Sequence, residues 1–106
     1  IKIITGTLLM AESQIEDLGK LEEVGQDLIA TYSELKSLGN LISVGRTLSV
    51  ISTGVKSLGK LQYVGGDLHT ENAIVAYRMT TEEIRQQVEV VGGVYLKSVF
   101  KPDVRG

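Results

Sequence analysis

A single register with a period of twenty residues runs through most of this chain. Leu18-Gly19, Leu38-Gly39 and Leu58-Gly59 recur at that spacing. So do Leu21, Leu41 and Leu61, then Val24-Gly25, Val44-Gly45 and Val64-Gly65, then Leu28, Leu48 and Leu68. Ile15, Leu35 and Val55 close each unit. The frame extends backward, since Ile4, Thr7, Leu8 and Met10 fall where Val44, Thr47, Leu48 and Val50 fall. Four units share the frame without an insertion. Such a period marks a stacked repeat, in which no unit buries its apolar face alone and each neighbour covers the next.

The spacings of Leu18, Leu21, Val24 and Leu28, three and four residues, also fit the stripe of an amphipathic helix. Two facts oppose a helical repeat. Each unit carries glycine at two fixed places inside the would-be helix, and each costs about 1 kcal/mol relative to alanine. Twenty residues are also too few for two helices and two turns, which need about 33 or more.

The pattern therefore predicts a β-solenoid. Thr47-Leu48-Ser49-Val50 alternates outward and inward, with Leu48 and Val50 inside. Its counterparts are Thr7-Leu8-Leu9-Met10, Asp27-Leu28-Ile29-Ala30 and Asp67-Leu68-His69-Thr70. Each is expected to be a short strand, paired in parallel with its neighbours about 4.8 Å away. The leucines of the Leu-Gly-x-Leu segment fill the coil from the opposite side. The glycine just before each strand lets the chain turn where a Cβ would be crowded or φ must be positive.

Composition agrees. Apolar residues make up 42% of the 106, aromatics only 5%, so the core is one of Leu, Ile and Val. The β-branched members of that set favour strands. The length suits a single domain, 1–106. Eleven basic and thirteen acidic residues leave a net charge of −2, which gives no broad footprint for nucleic acid. The absence of cysteine excludes disulfides and thiolate metal sites. The longest apolar runs are far too short to span a bilayer, and no signal peptide is visible.

The string Leu48-x-Val50-x-x-Thr53-x-Val55-x-x-Leu58 resembles the leucine-rich-repeat consensus, with Ser13, Ser33 and Thr53 where that family carries an asparagine that ladders between coils. SLGNLISVGRTLSV, with SLGKLQYVGGDLHT after it, resembles the short leucine-rich-like repeats of bacteriophage and bacterial proteins, and more distantly the repeats of receptor L domains. The resemblance covers nearly the whole chain and implies a leucine-rich-repeat-like solenoid. These families share no reaction, so it implies nothing about chemistry.

The frame breaks after Val75. Thr80 with Glu83 three positions on reads as a capping box opening a short helix. Val90-Val91-Gly92-Gly93-Val94-Tyr95-Leu96 then restores the strand pattern, with Val94 and Leu96 inward, twenty-six residues after Val64. The expected organisation is about five coils, in frame over 1–75, with an enlarged C-terminal capping coil over 76–97 that holds the helix and a polar tail over 98–106. Ile1, Ile3 and Ile4 fall near an uncapped end, which is expected to be covered by a partner, by residues missing from the start, or by association with another copy.

Catalytic chemistry is hard to assemble here. His69 is the only histidine, and Ser49 on the neighbouring coil would need it as base, with nothing evident to orient it. A weak divalent ion would need Asp67, His69 and Glu71 together; a solvated polar patch is the simpler reading. Gly65-Gly66 and Gly92-Gly93 lack the context and lysine of a phosphate loop. Lys20, Lys36, Lys56 and Lys60 form an interrupted stripe with no aromatic partners for bases. No enzyme, cofactor or metal is expected. A nucleic-acid mimic built on Asp27, Asp67, Glu71, Glu22 and Glu23 is disfavoured by the balanced charge.

The outward side of the strands is the candidate site. One row carries Thr7, Asp27, Thr47 and Asp67, the next Leu9, Ile29, Ser49 and His69, the third Ala11, Thr31, Ile51 and Glu71. Tyr95 and Lys97 extend the second and third rows. A cluster of apolar residues on an exposed face marks an interface. The expected function is protein binding through Leu9, Ile29, Thr31, Ser49, Ile51, His69, Glu71 and Tyr95, with Tyr32 as a further aromatic anchor. The phage resemblance implies a virion accessory or decoration protein, or an inhibitor of a bacterial host protein, located in the virion or the host cytoplasm.

Overall fold

A computed structural model of the chain describes residues 2–96. It is a solenoid of parallel strands with one helix. Each turn carries two strands of two residues, on adjacent sides. The first sheet is made of β1 (Ile3–Ile4), β3 (Glu23–Val24), β5 (Ser43–Val44), β7 (Tyr63–Val64) and β9 (Glu89–Val90). The second is made of β2 (Leu8–Leu9), β4 (Leu28–Ile29), β6 (Leu48–Ser49), β8 (Leu68–His69) and β10 (Val94–Tyr95). Every pairing is parallel.

The register confirms the period. Val24 pairs with Val44 and Val44 with Val64, so the stack steps by twenty residues from Ile4 through Val64. That makes three uniform turns. Val64 then pairs with Val90, a step of twenty-six. The extra residues hold a 3-10 turn, Ile74–Tyr77, and helix α1, Thr81–Gln87. Val75 keeps the old frame, its amide donating to Val55 O at 2.8 Å. The capping box is present: Thr80 Oγ1 accepts from Glu83 N at 3.1 Å, and Glu83 Oε1 accepts from Thr80 N at 2.9 Å. Ile84 anchors the helix in the core.

The core is a set of columns, each filled by one residue per turn. Val24, Val44 and Val64 make one, Leu28, Leu48 and Leu68 the next, Met10, Ala30, Val50 and Thr70 a third. Leu35, Val55 and Val75 line the third side, and Leu21, Leu41 and Leu61 complete the ring. Stacking like on like keeps side-chain volumes matched between turns, which parallel in-register strands require.

One detail differs from the sequence reading, and two others make it specific. The strand expected over Thr47–Val50 is only Leu48–Ser49, and the Val-Gly segment before it, read as a turn, contributes a second sheet. Of the two reasons expected for the glycine before each strand, crowding is the one that holds at Gly25, Gly45 and Gly65: φ is not positive there, and a Cβ would strike the carbonyl of the turn below, Gly25 O in the case of Gly45. Positive φ falls elsewhere, at Gly19, Gly39 and Gly59 and at the corner residues Glu12, Tyr32, Ser52 and Asn72. Finally, the Ser33 and Thr53 hydroxyls bond within their own coil, to Ala30 O at 2.7 Å and Val50 O at 2.8 Å, rather than laddering between coils. Ile1, Lys97 and the tail 98–106 lie outside the described residues.

Candidate functional site: the outward face of the second sheet

The strands of the second sheet alternate. Leu8, Leu28, Leu48, Leu68 and Val94 face the core, so the next residue of each strand faces out. The pairing sets Leu9, Ile29, Ser49, His69 and Tyr95 in a single row, one per turn. The expected row is therefore assembled. Thr31, Ile51 and Glu71 stand two positions further along their coils and flank it.

Accessibility along the row is uneven. Leu9 is 72% exposed and Tyr95 44%. Ile29 and His69 are half-buried, as are Thr31, Ile51 and Glu71. Ser49, expected to be exposed, is only 5% accessible. Its hydroxyl and that of Thr31 share a hydrogen bond of 2.9 Å. A small side chain between larger neighbours makes a dip at the middle of the face, with apolar Ile29 on one side and aromatic His69 on the other.

At the C-terminal end of the row the His69 and Tyr95 rings stack with centroids 4.5 Å apart and planes 7° from parallel. Such a pair contributes about 0.5–1.5 kcal/mol beyond its buried area. Glu71 Oε2 lies 3.3 Å from His69 Nδ1, which fixes the ring about its edge. Glu71 Oε1 is buried without a hydrogen-bond partner. The imidazole is thus held rigidly by a ring on one face and a carboxylate at one nitrogen.

This arrangement answers the question of a Ser49–His69 pair. Glu71 does supply the orienting group absent from the sequence reading. The ring, however, is stacked across the ladder on Tyr95, so a ring face rather than a nitrogen is turned toward the turn carrying Ser49. The hydrogen-bond partner of Ser49 is Thr31.

The outer row of acids and threonines is occupied structurally. Asp67 Oδ1 accepts from Gly93 N at 2.8 Å and Asp27 Oδ1 from Thr47 N at 3.0 Å. Each carboxylate satisfies an amide of the following turn at the corner between the sheets. Asp67 is thereby engaged by that amide, and among the described residues no three metal-ligating side chains converge. The lysine stripe is likewise broken: Lys36 lies 3.7 Å from Glu16, and Lys60 donates to Asn40 Oδ1 at 2.9 Å.

A shallow depression of about 400 Å³ lies off this face, lined by Ile42, Gly59, Lys60, Leu61, Gln62 and Gln87. Its floor is an element sequence reasoning missed. Gln87 Nε2 donates to Gly59 O at 3.0 Å and to Leu61 O at 3.4 Å, covering carbonyls beside the enlarged coil. Arg85 does the same for the last strand of the first sheet, donating to Val90 O at 2.9 Å and Gly92 O at 2.8 Å. No spacing rule marks either residue; their roles depend on where the inserted helix lands. No described helix is long and apolar enough to cross a membrane. Comparison with protein-family models, with curated proteins and with solved structures gives no match.

Proposed function

We propose that this chain is a non-enzymatic protein-interaction module that presents the outward face of its second sheet to a protein partner. One observation carries the reading: a rigid parallel sheet holds Leu9, Ile29, Ser49, His69 and Tyr95 in one row, with apolar and aromatic members partly open to solvent. Thr31, Ile51 and Glu71 form its rim. Such a surface loses little conformational entropy on binding, because the sheet and the His69–Tyr95 stack are already ordered. Apolar and aromatic anchors around a central dip are the usual makings of a binding hot spot. In this reading the solenoid is leucine-rich-repeat-like, with a short terminal coil completing five. The repeat's resemblance to bacteriophage proteins then puts the partner in a virion or a bacterial host cell, as a structural neighbour or as a host protein that is inhibited.

The test is affinity capture by the immobilised chain from phage-infected and uninfected bacterial lysates, quantified by mass spectrometry. Three proteins are compared: wild type, Ile29→Asp with Ile51→Asp, and Lys20→Glu with Lys56→Glu as a control on other surfaces. Burying two new carboxylates against a partner costs about 2–4 kcal/mol, or roughly thirty- to a thousandfold in affinity. One protein, captured by wild type and control but lost from the isoleucine variant, is expected. Capture that survives the isoleucine substitutions, or no capture by wild type, overturns the reading. Enrichment in virions separates a structural neighbour from a host target.

A further inference from the structure

Charge is not spread evenly over the molecule. Residues 2–96 hold eight basic and twelve acidic side chains. Four of the acids, Glu12, Asp27, Asp67 and Glu71, belong to the side that carries the second sheet. No lysine or arginine lies within 7–12, 27–32, 47–52, 67–72 or 93–96. Over the rest of the described chain eight acids meet eight bases. The net charge of the described residues is thus the charge of this one side.

The four carboxyls frame the row. Asp27 and Asp67 stand two positions before it on their coils, and Glu71 stands two positions after it. Glu12 occupies the corner that follows, with φ of 60°. Asp27 and Asp67 each commit one oxygen, Oδ1, to an amide of the next turn, at 3.0 and 2.8 Å. The other oxygen of each makes no hydrogen bond to a described residue. Glu71 has only His69 Nδ1, 3.3 Å from Oε2. None of the four forms an ion pair with a described lysine or arginine: Lys36 pairs with Glu16, and the Arg85 guanidinium is engaged by Val90 O and Gly92 O. Like charges left unpaired around a half-buried face repel one another, and a partner of opposite charge relieves that repulsion as it docks.

We infer that the partner of this face is a basic protein segment. Its apolar or aromatic side chains seat on the row from Leu9 to Tyr95. Its lysines or arginines meet Asp27 and Asp67 along one border and Glu12 and Glu71 along the other. The inference rests on the reading of this face as a binding surface and adds the chemistry of what it binds. The apolar row alone would accept any apolar patch. The frame of unpaired acids selects among them, because a neutral or acidic partner leaves carboxylates desolvated without counter-charges. The near balance of the whole chain, eleven bases against thirteen acids, conceals this frame. Attraction of this kind is screened by salt, which separates it from the apolar contribution.

Three labelled peptides, each about ten residues long, test it by fluorescence anisotropy. All carry leucine and tyrosine at the same positions, with arginine, serine or glutamate at the others. The wild-type chain is expected to bind the arginine peptide at least about tenfold more tightly than the other two in about 20 mM salt. Most of that advantage is lost in about 200 mM salt, where the Debye length falls from about 20 Å to about 7 Å. Glu12→Gln with Glu71→Gln, and separately Asp27→Asn with Asp67→Asn, keep an oxygen acceptor at each position. Each pair is expected to weaken the arginine peptide about three- to tenfold. Glu23→Gln with Glu89→Gln removes the same charge from the first sheet and is expected to change binding less than about twofold. No binding, no preference for arginine, or an equal loss in all three variants overturns the inference. Capture from lysate that needs Ile29 and Ile51 but is indifferent to the four acid substitutions also overturns it, while leaving the binding face itself in place.

Discussion

Leu48→Asp is expected to leave the chain without a folded state at 25 °C. Leu48 is wholly buried in the middle turn, paired with Leu28 below and Leu68 above, both also wholly buried. Losing the leucine forfeits about 2–3 kcal/mol of apolar burial. Placing a carboxyl there, with only leucines and valines around it, costs several kcal/mol more, whether it stays ionised or takes up a proton. The sum matches or exceeds the whole stability of an ordinary domain, about 5–15 kcal/mol. The neighbouring position supplies the contrast. Leu9 belongs to the same kind of strand one step out of phase, 72% exposed, and Leu9→Asp should shift stability by less than about 0.5 kcal/mol. Far-UV circular dichroism and a thermal melt on both variants decide the matter. A folded Leu48→Asp melting within a few degrees of wild type would falsify the assignment of inward and outward faces.

Gly45→Ala is the second large effect, and it comes from the backbone rather than the core. The added methyl would land on the carbonyl of Gly25, whose turn lies directly below. The two turns must separate locally, which strains the bonds from Gly45 N to Val24 O, 2.8 Å, and from Thr47 N to Asp27 Oδ1, 3.0 Å. The last turn shows what it takes to place a side chain here. Val91 stands at the equivalent position, but it is followed by Gly92 and Gly93, where the third turn has Arg46 and Thr47. A loss of about 3 kcal/mol follows, near the upper range for point substitutions, or roughly 12–24 °C in melting temperature. Gly6→Ala is the control, since nothing lies within 4 Å of a Cβ built there. Equal melting temperatures for the two variants would show that the turns are not in van der Waals contact at this column.

Much of this was legible from residues alone, for identifiable reasons. A strict period forces like residues into columns, so Val24, Leu28, Leu35 and their repeats could be assigned to the interior. The twenty-six-residue step was visible because Val64 and Val90 open matching strings. Thr80 and Glu83 announced their capping box because it is a local device, needing nothing beyond one helical turn. What stayed hidden depends on neighbouring turns. Val44-Gly45 looked like a turn, since glycine usually signals one, yet Ser43–Val44 is a strand, and the crowding expected at the glycine comes from a carbonyl twenty residues earlier. The positive-φ corner passes through Glu12, Tyr32, Ser52 and Asn72, and only Asn72 is a residue that favours it. A tyrosine there cannot be foreseen from propensity; the coil imposes it.

The candidate site divides the same way. Alternation along the strands placed Leu9, Ile29, Ser49, His69 and Tyr95 on one face correctly. It could not show that Ser49 sinks between larger neighbours, because burial there depends on the reach of Thr31. Nor could it show that Asp27 and Asp67 spend their carboxylates on the amides of the next turn. The role of Arg85 in covering carbonyls is the least legible of all, since it depends on the path of a six-residue insertion.

The proposed binding face depends on those five residues standing one per turn in a single row. The chain contains no cysteine, so paired substitutions measure this directly. Residues on adjacent parallel strands have Cα atoms about 4.8 Å apart, within the 4.4–6.8 Å a disulfide spans, and residues two strands apart are about 9.6 Å apart, beyond its reach. Ile29→Cys with Ser49→Cys is therefore expected to close to an intramolecular disulfide under mild oxidation, and Ile29→Cys with His69→Cys is expected to stay reduced. Closure of the second pair but not the first, or of neither, would contradict the twenty-residue register on which the account stands.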